Sequence, residues 1–338
     1  MEQIQGLSPA FPDQKAQTVP IVLSSSESFA PVCAVAICSI VSNACDSRYY
    51  DILVLDTGIS PENQQKIQSL AKENVSIRFY NVRELLNQYN LKTLSHVPTE
   101  TYARFIDQSV FRDYDKIIHL DTDVICDRDV ADLFDIELGS HLLAAARDPD
   151  MCGCLNLFED REVYLRTRLK MEHPYDYFQA GVLSLNAKEM RKLYSTEQWL
   201  DLAQEDYMYV DQDVLNRYCQ GRVLYLDMAW DVLIDCMEYR VPVIIQAAPE
   251  RMKKDYFAAR ETPFVIHYAG GEKPWNQPNV DMEAYFWKYA KETPYNEMLQ
   301  KQRKNGAPAA WIKKQKRKIK RFVKGMFCGI FPAKVQRL

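Results

Sequence analysis

Short apolar runs alternate with segments that are apolar on one side only. Val19 to Leu23 is uninterrupted apolar chain and predicts a buried strand. Ala30 to Ala44 predicts a helix, in which Ala34, Ala36 and Ser39 permit close packing on a sheet. Tyr49 to Asp56 predicts a second strand around Ile52-Leu53-Val54-Leu55, and Val75 to Tyr80 a third. Between them a turn at Gly58 and Pro61 opens a helix running to about Lys72. Tyr102, Phe105, Ile106 and Val110 recur at helical spacing and predict one helix over Thr99 to Asp113. Lys116 to Leu120 is again an apolar strand, followed by further strands at Leu142 to Ala146, Ala180 to Leu185 and Phe264 to His267. A polar-opened helix is expected over Asp211 to Tyr218. Strands alternating with helices at these intervals predict an α/β fold, with a mainly parallel sheet covered on both faces.

Composition agrees with a globular body. The chain has 338 residues, 47% of them hydrophobic. No run of roughly 18 or more uncharged apolar residues, the length of a membrane-spanning helix, is present. Residues 1–18 read as a loose leader, and Met1 to Lys15 lacks the basic start and apolar stretch of a secretory signal, so a cytoplasmic protein is expected. Nine scattered cysteines, odd in number and without zinc-site spacing, read as reduced thiols.

Charge changes the picture at one end. The net charge is −4, yet 13 of the 42 Lys and Arg and none of the 46 Asp and Glu lie in residues 301–338. An acidic body has no field suited to nucleic acid. The basic tail repeats Ile312, Ile319, Val323, Met326 and Ile330 at helical spacing, with Trp311, Phe322 and Phe327 among the cations. That pattern suits an anionic membrane surface, with a nucleic-acid patch or a solvated tail as the blander readings.

Four groups of residues could carry chemistry. Asp121 and Asp123 follow directly on the strand ending at Leu120, where open α/β sheets gather ligands. Two carboxylates there repel unless a cation compensates, and hard oxygens suit Mg²⁺ or Mn²⁺; alternatively they cap the following segment. His267-x-x-Gly270-x-x-Lys273 ends another strand. The imidazole could ligate the same cation, Gly270 admit a phosphate and Lys273 neutralise it, or the stretch could be an ordinary turn. Asp211-Gln212-Asp213 opens a helix, either as dipole-favoured acids or as sugar-facing groups. Arg104 could be a solvated arginine or one that neutralises an acid.

Read together, these pieces resemble glycosyltransferase family eight, the retaining group that includes the bacterial lipooligosaccharide galactosyltransferases and glycogenin. The resemblance rests on Thr101-Tyr-Ala-Arg-Phe105, His119-Leu-Asp-Thr-Asp-Val124, Ala180-Gly-Val-Leu183, Asp211-Gln-Asp213 and His267-x-x-Gly-x-x-Lys-Pro-Trp275, in the family's order. It implies a Rossmann-like GT-A fold with a mixed, mainly parallel sheet flanked by helices. It implies a UDP-sugar donor and Mn²⁺ (or Mg²⁺) held by Asp121, Asp123 and His267. Gly270 and Lys273 would meet the donor diphosphate, and Thr122 would lie beside it. Arg104, Asp148, Gln179, Ala180 and Asp211 would surround the donor sugar. Gln212, with Asp211 as the alternative, would stand at the reactive anomeric face. The family's uracil-binding strand usually ends in an acidic residue followed by Asn-Tyr; here the stretch reads Ser24-Ser25-Ser26-Glu27-Ser28-Phe29, where Phe29 can stack on a base and Ser26 or Ser28 hydrogen-bond to it. Gln179 stands where the galactosyltransferases have Asn, which reshapes the sugar pocket.

The expected organisation is a leader (1–18), a GT-A domain (19–295) and a basic membrane-associating tail (296–338). The expected activity is hexose transfer (galactose or glucose) to a glycan or glycolipid at the inner face of the cytoplasmic membrane, in surface polysaccharide or lipopolysaccharide synthesis. Two other readings compete. A phosphohydrolase of the haloacid dehalogenase type also places Asp-x-Asp after an apolar strand, but needs Gly and then Thr or Val where Val124-Ile125 stands. A non-catalytic membrane-surface protein could keep the fold without the reaction. The acceptor segments, about 151–176 and 230–259, carry no readable code. Deleting residues 311–338 is expected to abolish sedimentation with anionic vesicles and leave donor binding intact; vesicle binding that survives the deletion contradicts the membrane reading.

Overall fold

The computed structural model describes residues 4–93 and 99–307. Apolar runs from the first part of the chain become three adjacent parallel strands, β1 (Thr18–Ser25), β2 (Tyr49–Asp56) and β3 (Val75–Asn81). The chain returns to the other side of β1 with β4 (Ile117–Leu120), also parallel. Before it reaches the rest of that sheet it makes β5 (Val124–Cys126). Then follow β6 (Leu143–Ala145), β7 (Val182–Leu185) and β8 (Val223–Tyr225), giving a seven-stranded sheet ordered β3-β2-β1-β4-β7-β6-β8. β7 is antiparallel to both β4 and β6, and β6 and β8 are parallel. This is the expected mixed, mainly parallel sheet.

Alternate residues of the central strands enter opposite cores. Ile21, Leu23, Ile52 and Val54 pack on one face, Val22, Leu53 and Leu55 on the other. Both faces are covered, as continuous apolar strands require. Helix α1 (Ala30–Asn43) covers the first face and is buried along nearly its whole length. β4 pairs β1 only at Ile21, Val22 and Leu23, so Pro20, with no N–H to give, precedes that contact.

A second sheet, β5-β10-β9, is small. β9 (Val232–Leu233) and β10 (Val265–His267) pair parallel, and β10 runs antiparallel to β5. α1 joins the two sheets: the Cys126 N–H donates to Ser39 Oγ at 3.0 Å, and Asn43 Nδ2 donates to the Cys126 carbonyl at 2.9 Å. Strand order reverses at β1 and β4, and Asp121-Thr122-Asp123 is the link from the large sheet to the small one.

Two expectations need correction. Residues 4–17 lie along the body and are not loose: the Leu7 N–H donates to the Val110 carbonyl at 2.8 Å, and the Ala10 N–H to Asp51 Oδ2 at 3.0 Å. Asp51 is fully buried in β2, and its charge is met by Arg78 and the Tyr114 hydroxyl as well as by this N–H. The single helix over 99–113 is broken into a 3₁₀ segment, Thr99–Phe105, and a short α-turn, Asp107–Val110. The carbonyls of Thr101 and Phe105 accept from the Arg104 and Thr196 side chains, which replaces part of an α-helical ladder. All eight cysteines among the described residues are free thiols. No helix among the described residues is long and apolar enough to cross a membrane. The tail 311–338 lies outside the described residues.

Arg78→Ala leaves the Asp51 carboxylate buried without its cation. A loss of roughly 2–4 kcal/mol in urea unfolding is expected, since Tyr114 and the Ala10 N–H remain; an unchanged midpoint contradicts this account of the strand and leader.

Candidate active site

The link between the sheets is pinned at both ends. The Asp121 N–H donates to the Gly181 carbonyl at 2.8 Å, and the Tyr268 N–H to the Asp123 carbonyl at 2.9 Å. β10 therefore delivers His267 opposite Val124, directly beside the two acids. His267 Nε2 lies 3.4 Å from Asp123 Oδ1 and 3.8 Å from Asp121 Oδ2. One ligand atom from each of the three residues falls within 4.8 Å of the others.

The ring is oriented from behind. Asp231, fully buried, holds His267 Nδ1 at 2.8 Å, which leaves Nε2 facing the acids. Gly181 makes room for the ring: a Cβ there would sit 2.2 Å from His267 Cε1. This is the physical reason for glycine in Ala180-Gly-Val.

Cations balance the carboxylates. Arg104 is buried, donates to Asp121 Oδ1 at 2.7 Å, pairs with Asp211 Oδ2 at 2.9 Å and also donates to the Ala180 carbonyl. Lys273 Nζ donates to Asp123 Oδ2 and to the Tyr268 carbonyl, both at 2.5 Å. Burial disfavours the charge on Asp123, but Lys273 and His267 outweigh it and hold its carboxyl far below the usual range. Burial also works against a proton on His267, yet Asp231 and Asp123 on either side hold the imidazole up to about 10.

The remaining residues form the opposite wall. Helix α2 (Pro149–Leu157) is capped by Asp148, whose Oδ1 accepts from the N–H groups of Asp150 and Met151. Burial, and then the neighbouring Asp150, push the Asp148 carboxyl up to about 7. Helix α3 (Val210–Cys219) begins at Val210, a β-branched residue at φ 43°. That strained start aims Asp211 and Gln212 into the cleft. Asp211 accepts from the Thr101 hydroxyl at 2.7 Å in addition to its Arg104 pair. Gln212 Oε1 accepts from the Ala180 N–H at 3.0 Å, and its Nε2 donates to Asp148 Oδ2 at 3.2 Å. Asp213 points elsewhere, to the hydroxyls of Tyr164 and Tyr177 and the Tyr209 N–H, and fixes the strained turn.

One cleft of about 320 Å³ gathers these groups. Its lining includes Ser26, Phe29, Arg104, Asp121, Thr122, Asp123, Asp148, Gln179, Ala180, Asp211, Gln212, His267, Gly270 and Lys273. Ser28 is not on the wall, and its hydroxyl lies 3.3 Å from that of Ser26. Glu27 turns outward to the Ser60 N–H and Asn63. Gln179 Nε2 donates to the Asp231 carbonyl at 3.2 Å. Sequence reasoning missed Asp231, Asp150 and Arg240. Each works through a partner far along the chain, and none stands in a spaced motif.

A family model described as Glycosyl transferase family 8 matches residues 20–278. The chain belongs to glycosyltransferase family 8. It is accordingly a glycosyltransferase, and the haloacid dehalogenase and non-catalytic alternatives fall. A Haemophilus influenzae protein assigned only as a glycosyltransferase is 29% identical over 269 residues, 78% of this chain and 74% of its own. The lipopolysaccharide 1,2-glucosyltransferase of Escherichia coli K12 is 25% identical over 68% of this chain and 64% of its own. Among solved structures, the bifunctional glycosyltransferase WbbM superposes with a TM-score of 0.77 at 30% identity, over 88% of this chain. The chain spans 53% of that larger protein. The galactosyltransferase LgtC, solved with donor and acceptor sugar analogues, superposes at 0.66 and 24% identity, over 82% of this chain and 96% of its own, and shows the shared GT-A-type fold.

Gly181→Ala forces the His267 ring to move and is expected to cost about 1–3 kcal/mol in chemical denaturation. Gly271→Ala, with nothing within 4 Å of its new Cβ, is expected to stay within roughly 0.5 kcal/mol of the parent. Equal stabilities for the two variants contradict the packing described.

Proposed function

We propose that this enzyme transfers a hexose, glucose or galactose, from a UDP-sugar to a glycan or glycolipid acceptor with retention, in surface polysaccharide or lipopolysaccharide synthesis. The observation that carries the reading is the Asp121, Asp123 and His267 cluster, with Lys273 beside it, at the reversal point of the sheet. Two carboxylates and an imidazole whose far nitrogen is already held form a donor set suited to Mn²⁺ or Mg²⁺. Bound there, the cation would supply charge stabilisation to a departing diphosphate.

The protein groups then divide the donor among them. Phe29, braced edge-on by Trp275 at 6.4 Å, offers a face to the uracil, with Ser26 beside it. Gly270, at φ 104°, and Lys273 suit the diphosphate. Arg104, Asp148, Gln179 and Asp211 suit the sugar hydroxyls. Asp211 is engaged by Arg104 and Thr101, and the amide of Gln212 is a poor nucleophile, which supports attack from the side of the leaving group. In that step the acceptor oxygen bonds to the anomeric carbon as the bond from that carbon to the diphosphate oxygen breaks. The electron pair stays on the diphosphate, which takes the acceptor's hydroxyl proton. Two relatives, the lipopolysaccharide 1,2-glucosyltransferase of Escherichia coli and the lipopolysaccharide 1,3-galactosyltransferase of Salmonella typhimurium, support both the sugar class and the acceptor class. The basic tail supports a place at the cytoplasmic face of the membrane.

Hydrolysis of a panel of UDP-sugars, with and without Mn²⁺, tests the reading. One donor is expected to turn over only with the cation, and Asp123→Ala to lower that rate by roughly a hundredfold or more. No turnover of any UDP-sugar, or an unaffected Asp123→Ala rate, contradicts it.

A further inference from the structure

Between the phosphate-side turn and the sugar-side acids stands a guanidinium that no motif announces. Arg240 opens a π-helix, Arg240–Ile244, in which the Ile244 N–H reaches back five residues to the Tyr239 carbonyl. The two residues at 237 and 238 have φ of 68° and 50°. Consecutive non-glycine residues in the left-handed region and a π-turn are both costly, and such features persist where the surrounding structure imposes them. The Met237 N–H donates to Glu272 Oε2 at 2.8 Å, which ties the loop to the Gly270 turn.

The loop's product is a fixed cation. Arg240 Nε donates to Asp150 Oδ2 at 2.8 Å, and Nη1 donates to the carbonyls of Ile234 and Ala269 at 2.8 and 2.9 Å. Three acceptors on two of its nitrogens set the plane of the group. Nη2 is then the corner beside Gly270, where a Cβ would sit only 3.2 Å from it. Arg240, Gly270, Asp148 and Asp150 all line the cleft.

We propose that Arg240 is a binding residue for the sugar-bearing phosphate of the donor, its Nη2 donating to a phosphoryl oxygen. The proposal rests on the UDP-sugar reading above. On that reading Gly270 and Lys273 meet the diphosphate and Asp148 and Gln212 meet the sugar, so the group between them is the phosphate that joins the two. A planar, pre-held guanidinium loses little freedom on making such a bond.

The test is titration of the full chain with UDP and with UMP, each in the presence of Mn²⁺. Arg240→Met is expected to weaken UDP about tenfold and to leave UMP, which lacks that phosphate, within about twofold. The double variant Arg240→Met/Asp150→Asn removes the acid left unpaired and should show the same UDP-only loss, even if the single variant folds poorly. Undiminished UDP affinity in a folded variant overturns the proposal. Equal losses for UDP and UMP overturn it too, because they assign Arg240 to shaping the turn alone. A parent protein that binds neither nucleotide overturns the UDP-sugar reading itself, whatever the variants do.

Discussion

Two carboxylates held side by side at the exit of a buried strand are the constraint around which this molecule is arranged. Asp121 and Asp123 cannot turn away, because the backbone on either side of them is bonded into both sheets. Their repulsion has to be met where they stand. Arg104 meets one acid, while Lys273 and His267 meet the other. Arg104 comes from one part of the chain and His267 and Lys273 from another, far from the acids in sequence, so the charge requirement and the fold are the same problem. The small sheet exists to bring His267 across from Val124, and Gly181 exists in β7's approach so that the ring fits.

A second level of support surrounds that centre. Asp231 fixes the imidazole, Asp213 fixes the strained turn at Val210, and Thr101 fixes Asp211. The first of these contacts is buried and the other two are partly so, and each favours one orientation of a working side chain over its alternatives. Function in this fold is therefore a matter of pre-set geometry. The same logic extends to Arg240, held by Asp150 and two carbonyls inside a strained loop.

Much of the fold was legible because long β-branched runs leave little choice. β1 and β2 appear where Val19 to Leu23 and Ile52 to Leu55 are apolar, and β3 where Val75, Ile77 and Phe79 alternate with Ser76 and Arg78. β5 and β9, with three and two residues, are too short to show a period and take their structure from β10. The segment around Arg104 shows the opposite failure. Its apolar spacing is helical, yet side chains claim the carbonyls of Thr101 and Phe105, and the helix breaks. At the site, Asp121, Asp123, His267, Gly270 and Lys273 could be found because strand ends and glycine turns mark them. Asp231 and Arg240 could not, since their partners lie 36 and 90 residues away and their neighbours along the chain say nothing of it.

On the proposed function, the acids at the end of β4 and the histidine at the end of β10 share one divalent cation. Anomalous scattering at the manganese edge, from crystals grown with Mn²⁺ and UDP, tests it most directly. A single strong peak is expected, bonded to a carboxylate oxygen of Asp121, a carboxylate oxygen of Asp123 and Nε2 of His267, with Asp231 still on Nδ1. A peak elsewhere in the cleft, or a cation bound without His267, would contradict it.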